Sequence, residues 1–368
     1  MFLSQSNGEN YDRSLRSLEP RFDSDDDESQ KFYRFDFLTI SIATDGFSQA
    51  NKIWQGESDS MYKGRLQNGQ GIAIMQPCLS SQLSHEEYIN NVLLLGRVEN
   101  QNLVQLLGYC LEGTTIFLVY GFELYTNLDH FLSGKNPLME AHFNWNKRYE
   151  VILGVANALV YLHNHAPIRV IHADVRPQNL HFNKSLDHKL SFLGSARHSP
   201  INETDCVNVD RMNVTTGYMA PEYMIEGCLS TKADVFGFGL IVLENVSGQR
   251  NYLPFPETNE NFVQYVWANW LGGTFSNIIS DPRIDADSSS ISRFINIGLL
   301  CVQANADDRP TMDEVVGMLL DRWSNTLPLP KNPVSSWMIE EDSDHKNVVS
   351  DDYDSRAAGE FLAELSPR

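Results

Sequence analysis

The sequence of 368 residues contains no apolar run of the roughly 20 residues that a membrane-spanning helix needs. Its opening residues, MFLSQ, form too short an apolar stretch for a secretory signal peptide. Cysteines and histidines do not cluster with the spacing of a zinc site, so no bound metal is expected. These three absences predict an intracellular chain without a transmembrane segment.

Positive charge is also scarce, with 28 Lys and Arg residues against 48 Asp and Glu residues and a formal net charge of -20. So acidic a chain repels polyanions, and we expect no nucleic-acid partner and no general attraction to anionic membranes. The five cysteines are dispersed, at positions 78, 110, 206, 228 and 301, and form no C-x-x-C pair. This pattern favours free thiols in a reducing compartment.

Both ends of the sequence are polar and acidic. Residues 1–34 contain the run DSDDDES and residues 326–368 contain EEDSDH and DDYD, so we predict a disordered leader and a disordered tail. A calcium-binding loop in the leader is a weaker interpretation, because Glu28 stands where the turn glycine is needed and Arg34 where the closing glutamate is needed.

The pattern of apolar residues changes about a third of the way along the chain. Residues 35–122 are rich in strand signals, including a turn at Asn68–Gly69, and contain one helical pattern. Residues 123–325 are mainly helical, with an almost wholly apolar helical stretch at 234–248. The sequence therefore predicts an α+β fold with a small β-rich half and a larger helical half.

Several ordered motifs make this division specific: VIHADVRPQNL at 170–180, GYMAPEY at 217–223, KADVFGFGLIVLE at 232–244 and IGLLCVQANADDRPTMDEVV at 297–316. They resemble the catalytic loop, the A-P-E segment, the buried F helix and the late-domain arginine segment of protein kinases. With FDFLTISIATDGFS at 35–48, the sequence resembles the kinase domains of plant receptor-like kinases, most closely the cysteine-rich and S-domain groups.

This resemblance implies a bilobal protein-kinase-like fold, with the N-lobe at 35–122 and the C-lobe at 123–325. Receptor-like kinases normally carry an extracellular part and a membrane span before the kinase domain. Neither is recognisable here, so we expect either a cytoplasmic member of the family or a truncated gene product.

The family's glycine-rich loop, G-x-G-x-x-G, lets backbone N–H groups approach the phosphates of ATP. In this sequence its three glycine positions hold Trp54, Gly56 and Asp59. Trp54 adds bulk, and Asp59 adds negative charge where the phosphates would lie, so both substitutions oppose nucleotide binding.

The ion pair that marks an active kinase is missing from the sequence. The strand-three lysine of the family corresponds to Met75, and the helix-C glutamate corresponds to Asn91. The two losses are consistent with each other, because a glutamate facing methionine would be a partly buried unpaired charge. Lys52 and Lys63 are the nearby lysines that could take the place of the missing strand-three lysine, and neither is a convincing substitute.

The catalytic loop keeps part of its chemistry. Asp174 occupies the position of the catalytic base, now vestigial, Asn179 that of the second metal ligand, and Arg176 replaces the usual lysine. Ala173 replaces the arginine that receives an activation-loop phosphate, and Phe192 stands in place of the metal-binding aspartate of D-F-G. One protein ligand of two therefore remains for magnesium.

The residues that hold the kinase frame are retained. Glu222 and Arg309 correspond to the pair that ties the activation segment to the lower lobe, and Asp234 to the helix-F aspartate that braces the catalytic loop. His172 corresponds to a core histidine with a structural role. The remaining nucleotide-pocket and hinge positions are Gly56, Ala73, Tyr120, Gly121, Phe122 and Glu123.

Loss of the phosphate-handling residues beside an intact frame predicts a catalytically inactive receptor-like kinase homologue, a pseudokinase. It would act as a signalling scaffold, as an allosteric partner of an active receptor-like or cytoplasmic kinase, or as a decoy for an immune receptor. The alternative is an atypical Ser/Thr kinase with weak ATP-dependent phosphoryl transfer; a metal-free nucleotide switch and an unstable duplicate are further alternatives. No cofactor is expected, although weak or metal-independent ATP binding is compatible with the hinge. We predict a cytoplasmic location. Recruitment by a partner to the inner face of the plasma membrane is compatible with that location.

Overall fold

The computed structural model describes residues 32–55, 60–77, 85–122, 124–133, 142–191, 196–198, 206–208, 216–251, 261–285, 287–321 and 327–333. All of these belong to one unit of the chain that ends at Pro333. A sheet with two helices is followed by a mainly helical part, so the predicted two-lobed α+β fold is confirmed. No helix in the described ranges is long and apolar enough to cross a bilayer.

The N-lobe is built on a six-stranded sheet with the strand order β1-β5-β6-β4-β3-β2. Two helices accompany the sheet: α1 (Phe37–Ala43) and α2 (His85–Leu95). The strands are β1 (Tyr33–Arg34), β2 (Lys52–Gln55), β3 (Ser60–Arg65), β4 (Gly71–Gln76), β5 (Leu106–Glu112) and β6 (Thr115–Tyr120).

The two faces of β4 have different roles, because successive side chains of a strand point to opposite faces of the sheet. Ile72 and Ile74 belong to an apolar cluster with Ile40 of α1 and with Phe117 and Val119 of β6. The alternate residues of β4, Ala73 and Met75, therefore occupy the other face, where the resemblance to protein kinases implies a nucleotide.

The strand β1 joins the N-lobe sheet beside β5, and the backbones of the two strands approach each other very closely. Tyr33 pairs in parallel with Gly108 of β5, and the ring of Phe32 stacks on Tyr109 with centroids 5.8 Å apart. A methyl group on Gly108 would overlap the carbonyl oxygen of Tyr33. Residue 33, which the sequence assigns to the acidic leader, is thus part of the sheet, and residues 1–31 lie outside the described ranges.

Gly108→Ala is therefore expected to lower the free energy of unfolding by about 1–3 kcal/mol, the usual cost of overpacking. The measurement is urea unfolding of the full chain and of a chain that lacks residues 1–34, each with and without the substitution. The loss should disappear in the shortened chain, because the overlapping carbonyl is gone. An equal loss in both chains would contradict the close approach of β1.

The C-lobe is arranged around α6 (Thr231–Ser247), which is buried along almost its whole length. Ser230 caps its first turn, and it ends at Gly248, whose φ of 73° is a conformation that favours glycine. The other helices are α3 (Leu128–Leu132), α4 (Trp145–Val160), α5 (Pro221–Glu226), α7 (Phe262–Leu271), α8 (Phe275–Ile278), α9 (Ser288–Cys301) and α10 (Met312–Leu319).

Short strands in the C-lobe position the loops of the site. Three of them form a sheet in the order β10-β9-β7, and two further pairs are β11 with β8 and β12 with β13. They are β7 (Thr126–Asn127), β8 (Val170–Ile171), β9 (Leu180–Phe182), β10 (His188–Leu190), β11 (Arg197–His198), β12 (Val207–Asn208) and β13 (Cys228–Leu229).

Residues 327–333, assigned from the sequence to the acidic tail, lie against the C-lobe. The side chain of Gln303 accepts from the backbone N–H of Lys331 at 3.1 Å and donates to its carbonyl at 3.1 Å. Asn296 of α9 donates to the carbonyl oxygen of Pro328 at 3.1 Å. The folded unit therefore extends beyond the predicted boundary at residue 325.

The expectation of free thiols is wrong for one pair of cysteines. Cys206 and Cys228 form a disulfide with their Cα atoms 5.1 Å apart. The antiparallel pairing of β12 with β13 brings these two residues together across 22 positions of sequence, which spacing alone does not reveal. Cys110 and Cys301 are free and buried.

Candidate functional site

The loop between β8 and β9 brings the three predicted catalytic residues together. Oδ1 of Asp174 lies 3.1 Å from Nε of Arg176. The single helical turn at Pro177–Asn179 returns the amide of Asn179 to Asp174, where Nδ2 donates to Oδ2 at 2.7 Å and to the carbonyl oxygen at 2.8 Å. Both carboxylate oxygens of Asp174 therefore face partners within the same loop.

Asp234 of α6 holds the start of this loop. Its carboxylate accepts from the backbone N–H groups of His172 and Ala173, both at 2.8 Å, and lies 2.8 Å from Nε2 of His163. Ala173 has a φ of 66°, which is costly for a residue with a side chain. The buried carboxylate therefore stabilises a backbone conformation that the sequence of the loop does not favour by itself.

His172 is a fully buried, neutral residue of this loop. Burial lowers its pKa, so the ring is uncharged near neutral pH. Its Nδ1 accepts from the backbone N–H of Asp174 at 3.2 Å, which leaves the proton on Nε2 to be donated to the carbonyl oxygen of Ser191 at 2.9 Å. The ring thus positions the backbone of Asp174 and connects it to Ser191, the residue that follows β10.

Ser191 and His181 extend the network, and neither was singled out from the sequence. The Ser191 hydroxyl donates to the carbonyl oxygen of Asn179 at 3.1 Å, and Nε2 of His181 lies 3.0 Å from the same hydroxyl. Burial lowers the pKa of His181 to about 4, so this ring is neutral as well. Phe192, the next residue, lies outside the described ranges, as do Gly56, Asp59 and Glu123.

Met75 lies in an apolar, buried position on β4. It pairs with Met61 of β3 on one side and with Leu118 of β6 on the other. Met75 is 6% exposed and Met61 is 4% exposed, so the place of the family's lysine is closed to solvent. Trp54 belongs to β2 and Asn91 to α2, but their side chains are not among those described.

The two alternative lysines do not lie beside Met75. Lys52 pairs with Tyr62, its ammonium 5.4 Å from the ring centroid, and Tyr62 alternates with Met61 on β3, so this pair occupies the opposite face of the sheet. Lys63 pairs with Ala73, which shares the face of Met75 but lies two residues along β4. Ala73 pairs with Tyr120, so Lys63 sits at the hinge end of the strand.

The hinge segment at 120–122 is closely bonded to its surroundings. Burial raises the pKa of the Tyr120 phenol well above its ordinary value. The backbone N–H of Gly121 donates to the carbonyl oxygen of Gln105 at 2.9 Å. The Lys189 ammonium, 6.0 Å from the centroid of the buried Phe122 ring, donates to backbone carbonyls of the N-lobe. The Gly121 amide is therefore already engaged within the protein.

Glu222 and Arg309 form a bidentate ion pair, with N–O distances of 2.7 and 2.8 Å. The Arg309 guanidinium also donates to the carbonyl oxygens of Gln303, Lys232 and Ala304 at 2.7 to 3.2 Å. A buried cation with this many acceptors is well compensated, whereas the removal of one partner would leave the other charge without its counterpart.

A second anchor, absent from the sequence predictions, lies at the other end of the same segment. Glu244 of α6 accepts from the Tyr218 hydroxyl at 2.8 Å and from the backbone N–H of Asn251 at 2.7 Å. The Asn251 amide donates to the carbonyl oxygen of Gly217 at 2.5 Å. We call residues 216–227, which these contacts and the Glu222–Arg309 pair fasten to the C-lobe, the peptide platform. Burial raises the pKa of Glu244 to about 8.

Comparison with known proteins agrees with this geometry. A family model described as protein tyrosine and serine/threonine kinase matches residues 47–319. The chain belongs to the protein kinase family. The matched residues include the catalytic loop, the peptide platform and both anchors of the platform.

Curated relatives of this chain are described as receptor-like kinases. Cysteine-rich receptor-like protein kinase 41 of Arabidopsis thaliana is 36% identical over 330 residues, which are 87% of this chain and 49% of the relative. The G-type lectin S-receptor-like serine/threonine-protein kinase SD1-13 of the same plant is 39% identical over 302 residues, 81% of this chain and 36% of the relative. The chain thus spans half or less of the relatives it matches, and the similarity covers their kinase domains.

A magnesium nucleotide would find a poor fit at Met75 among the described residues. The position of the phosphate-binding lysine is apolar and buried there. Oδ2 of Asp174 already accepts a hydrogen bond from the amide nitrogen of Asn179 within the loop. We therefore derive no catalytic step through a bound nucleotide.

The buried ion pair of the platform gives a stability prediction. Arg309→Met is expected to lower the free energy of unfolding by about 3–5 kcal/mol, because Glu222 and several carbonyl groups lose a buried partner. A matched control is Lys331→Met, since the Lys331 ammonium is 70% exposed and pairs with Asp308, and exposed pairs contribute about 0–1 kcal/mol. Urea unfolding of both variants tests this, and equal losses for the two would contradict it.

Glu244 gives a prediction about pH. An acid whose pKa rises on folding holds its proton more tightly in the folded state, so its contribution to stability is lost as pH rises toward the folded pKa of about 8. Glu244→Gln keeps an oxygen for both donors and cannot ionise. From roughly pH 5 to 8, wild type should lose up to about 1.4 kcal/mol per pH unit relative to the variant. Parallel unfolding curves against pH would refute this assignment.

Proposed function

We propose that the chain is a pseudokinase domain that acts through its shape on a protein partner rather than through phosphoryl transfer. The observation that carries the proposal is the apolar burial of Met75 between Met61 and Leu118 on the nucleotide face of the sheet. Kinases catalyse mainly by positioning and by electrostatic stabilisation of phosphate charge. A thioether offers no positive charge and no hydrogen-bond donor.

The magnitude of this loss supports inactivity. Removal of one preorganised electrostatic contact costs roughly 10²–10³ in rate, and losses within one constellation are not additive. Here the helix-C position holds Asn91 and the D-F-G position holds Phe192 in addition to Met75. Protein kinases turn over at about 1–100 per second, so even a part of these losses leaves little transfer.

The retained anchors support a binding role. Asp234, the Glu222–Arg309 pair and Glu244 fix the catalytic loop and the platform through contacts within the C-lobe. A rigid platform is suited to recognition by another protein, either an active receptor-like or cytoplasmic kinase or an immune receptor. We place this interaction in the cytoplasm, with recruitment to the inner face of the plasma membrane by such a partner.

An atypical Ser/Thr kinase with weak ATP-dependent transfer is the second candidate. The cluster of Asp174, Arg176 and Asn179 favours it, because the base position and one metal-ligand position are filled and lie together. For that activity Oδ1 of Asn179 would have to bind a metal while Nδ2 donates to Asp174. Metal-dependent ATP binding therefore distinguishes the two candidates.

The deciding experiment is a thermal-shift titration of the full chain with ATP, with and without magnesium or manganese, beside an autophosphorylation assay. We expect no metal-dependent shift and no transfer. A ligand that binds only the folded state stabilises it by about 2.7 kcal/mol at a hundredfold excess over its Kd, so binding would be detected. A shift without metal would indicate a nucleotide that stabilises the scaffold.

Two variants make the result interpretable. Asp174→Asn is the negative control, and transfer by wild type that disappears in this variant would overturn the proposal in favour of the weak kinase. The triple variant Met75→Lys, Asn91→Glu, Phe192→Asp restores the missing charges and should regain metal-dependent ATP binding if these three positions account for the inactivity.

A further inference from the structure

In the sequence, Cys206 precedes the peptide platform and Cys228 follows it directly. Their Cα separation of 5.1 Å is within the usual range of a disulfide, and the bond closes a loop that contains residues 216–227. The bond therefore ties the chain before the platform to the strand after it.

Among the described residues, β12 pairs with β13 through Val207 with Leu229 and Asn208 with Cys228, directly beside the disulfide. The platform between the two cysteines is fixed to the C-lobe by Arg309 and Glu244. The covalent link therefore joins β12 to a strand that directly follows a fixed segment.

The same two cysteines are the accessible ones among the described residues. Cys206 is exposed and Cys228 is half-buried, whereas Cys110 and Cys301 are fully buried. Burial raises the pKa of Cys110 to about 11 and raises the pKa of Cys301 as well. Because the thiolate is the reactive form, the two buried cysteines are protected from oxidants.

We propose that Cys206 and Cys228 form a reversible oxidation site that fastens β12 to β13. One thiolate attacks an oxygen of hydrogen peroxide and breaks the O–O bond, which gives a sulfenic acid and, with one proton taken from solvent, one molecule of water. The second thiol then displaces the sulfenic hydroxyl group, which forms the S–S bond and releases another water. A dithiol reductant reverses the step by becoming a disulfide itself. In a reducing compartment such bonds are transient and regulatory. The site does not depend on whether the domain transfers phosphate.

The test uses the full chain with Cys78→Ser, because Cys78 lies outside the described ranges and is the remaining thiol. The protein is treated with hydrogen peroxide or with dithiothreitol, digested without reduction, and mapped by mass spectrometry. Hydrogen exchange is measured on both forms. We expect one cross-linked peptide that joins Cys206 to Cys228 in the oxidised form alone, and exchange of the Val207 and Asn208 amides slowed at least about tenfold by oxidation.

The control is Cys206→Ser in the same background, which should give no cross-link and fast exchange under both treatments. Native alkylation with iodoacetamide should label Cys206 and Cys228 in the reduced protein and leave Cys110 and Cys301 unlabelled, which verifies that the fold is intact. The proposal is overturned by an absent or differently paired cross-link, by resistance to dithiothreitol, or by equal exchange of the two amides in both forms.

Discussion

The carboxylate of Asp234 is the interaction on which the shape of the catalytic loop depends. It accepts from two consecutive backbone N–H groups, those of His172 and Ala173, and it lies beside His163. Buried N–H groups without an acceptor cost about 1–3 kcal/mol each, and Ala173 adds the cost of a left-handed backbone. A single buried carboxylate, fixed on a buried helix, offsets these costs. It thereby fixes the backbone conformation that leads into Asp174.

The same helix supports the platform. Glu244 stands three turns after Asp234 on α6 and holds Tyr218, while Phe236 of α6 lies 5.0 Å from the Arg309 guanidinium. The catalytic loop and the platform are therefore both positioned by residues of one helix. Met75 pairs with Met61 and Leu118 on the separate N-lobe sheet, so a change at this position lies apart from the contacts that hold the frame.

The sequence predicted the layout of the fold because its signals are local or ordered. The two lobes follow from the change of apolar periodicity and from motifs in a fixed order, and the apolar stretch at 234–248 became the buried helix. The bracing residues were assigned through family resemblance. The contacts of Ser191 with His181 and of Glu244 with Tyr218 were not predicted, because they depend on packing between separate elements and have no pattern in the sequence. The pairing of Cys206 with Cys228 was missed for the same reason.

The anchors of the platform differ in how they respond to salt, to pH and to oxidants or reductants. The Glu222–Arg309 pair is largely shielded from solvent, so salt screens it little. Glu244 holds its proton up to about pH 8, so its two hydrogen bonds are formed with a neutral carboxyl under most conditions. The Cys206–Cys228 bond is covalent and responds only to reductants and oxidants. Among these anchors the disulfide is therefore the one that oxidants and reductants can make and break while the other two remain in place.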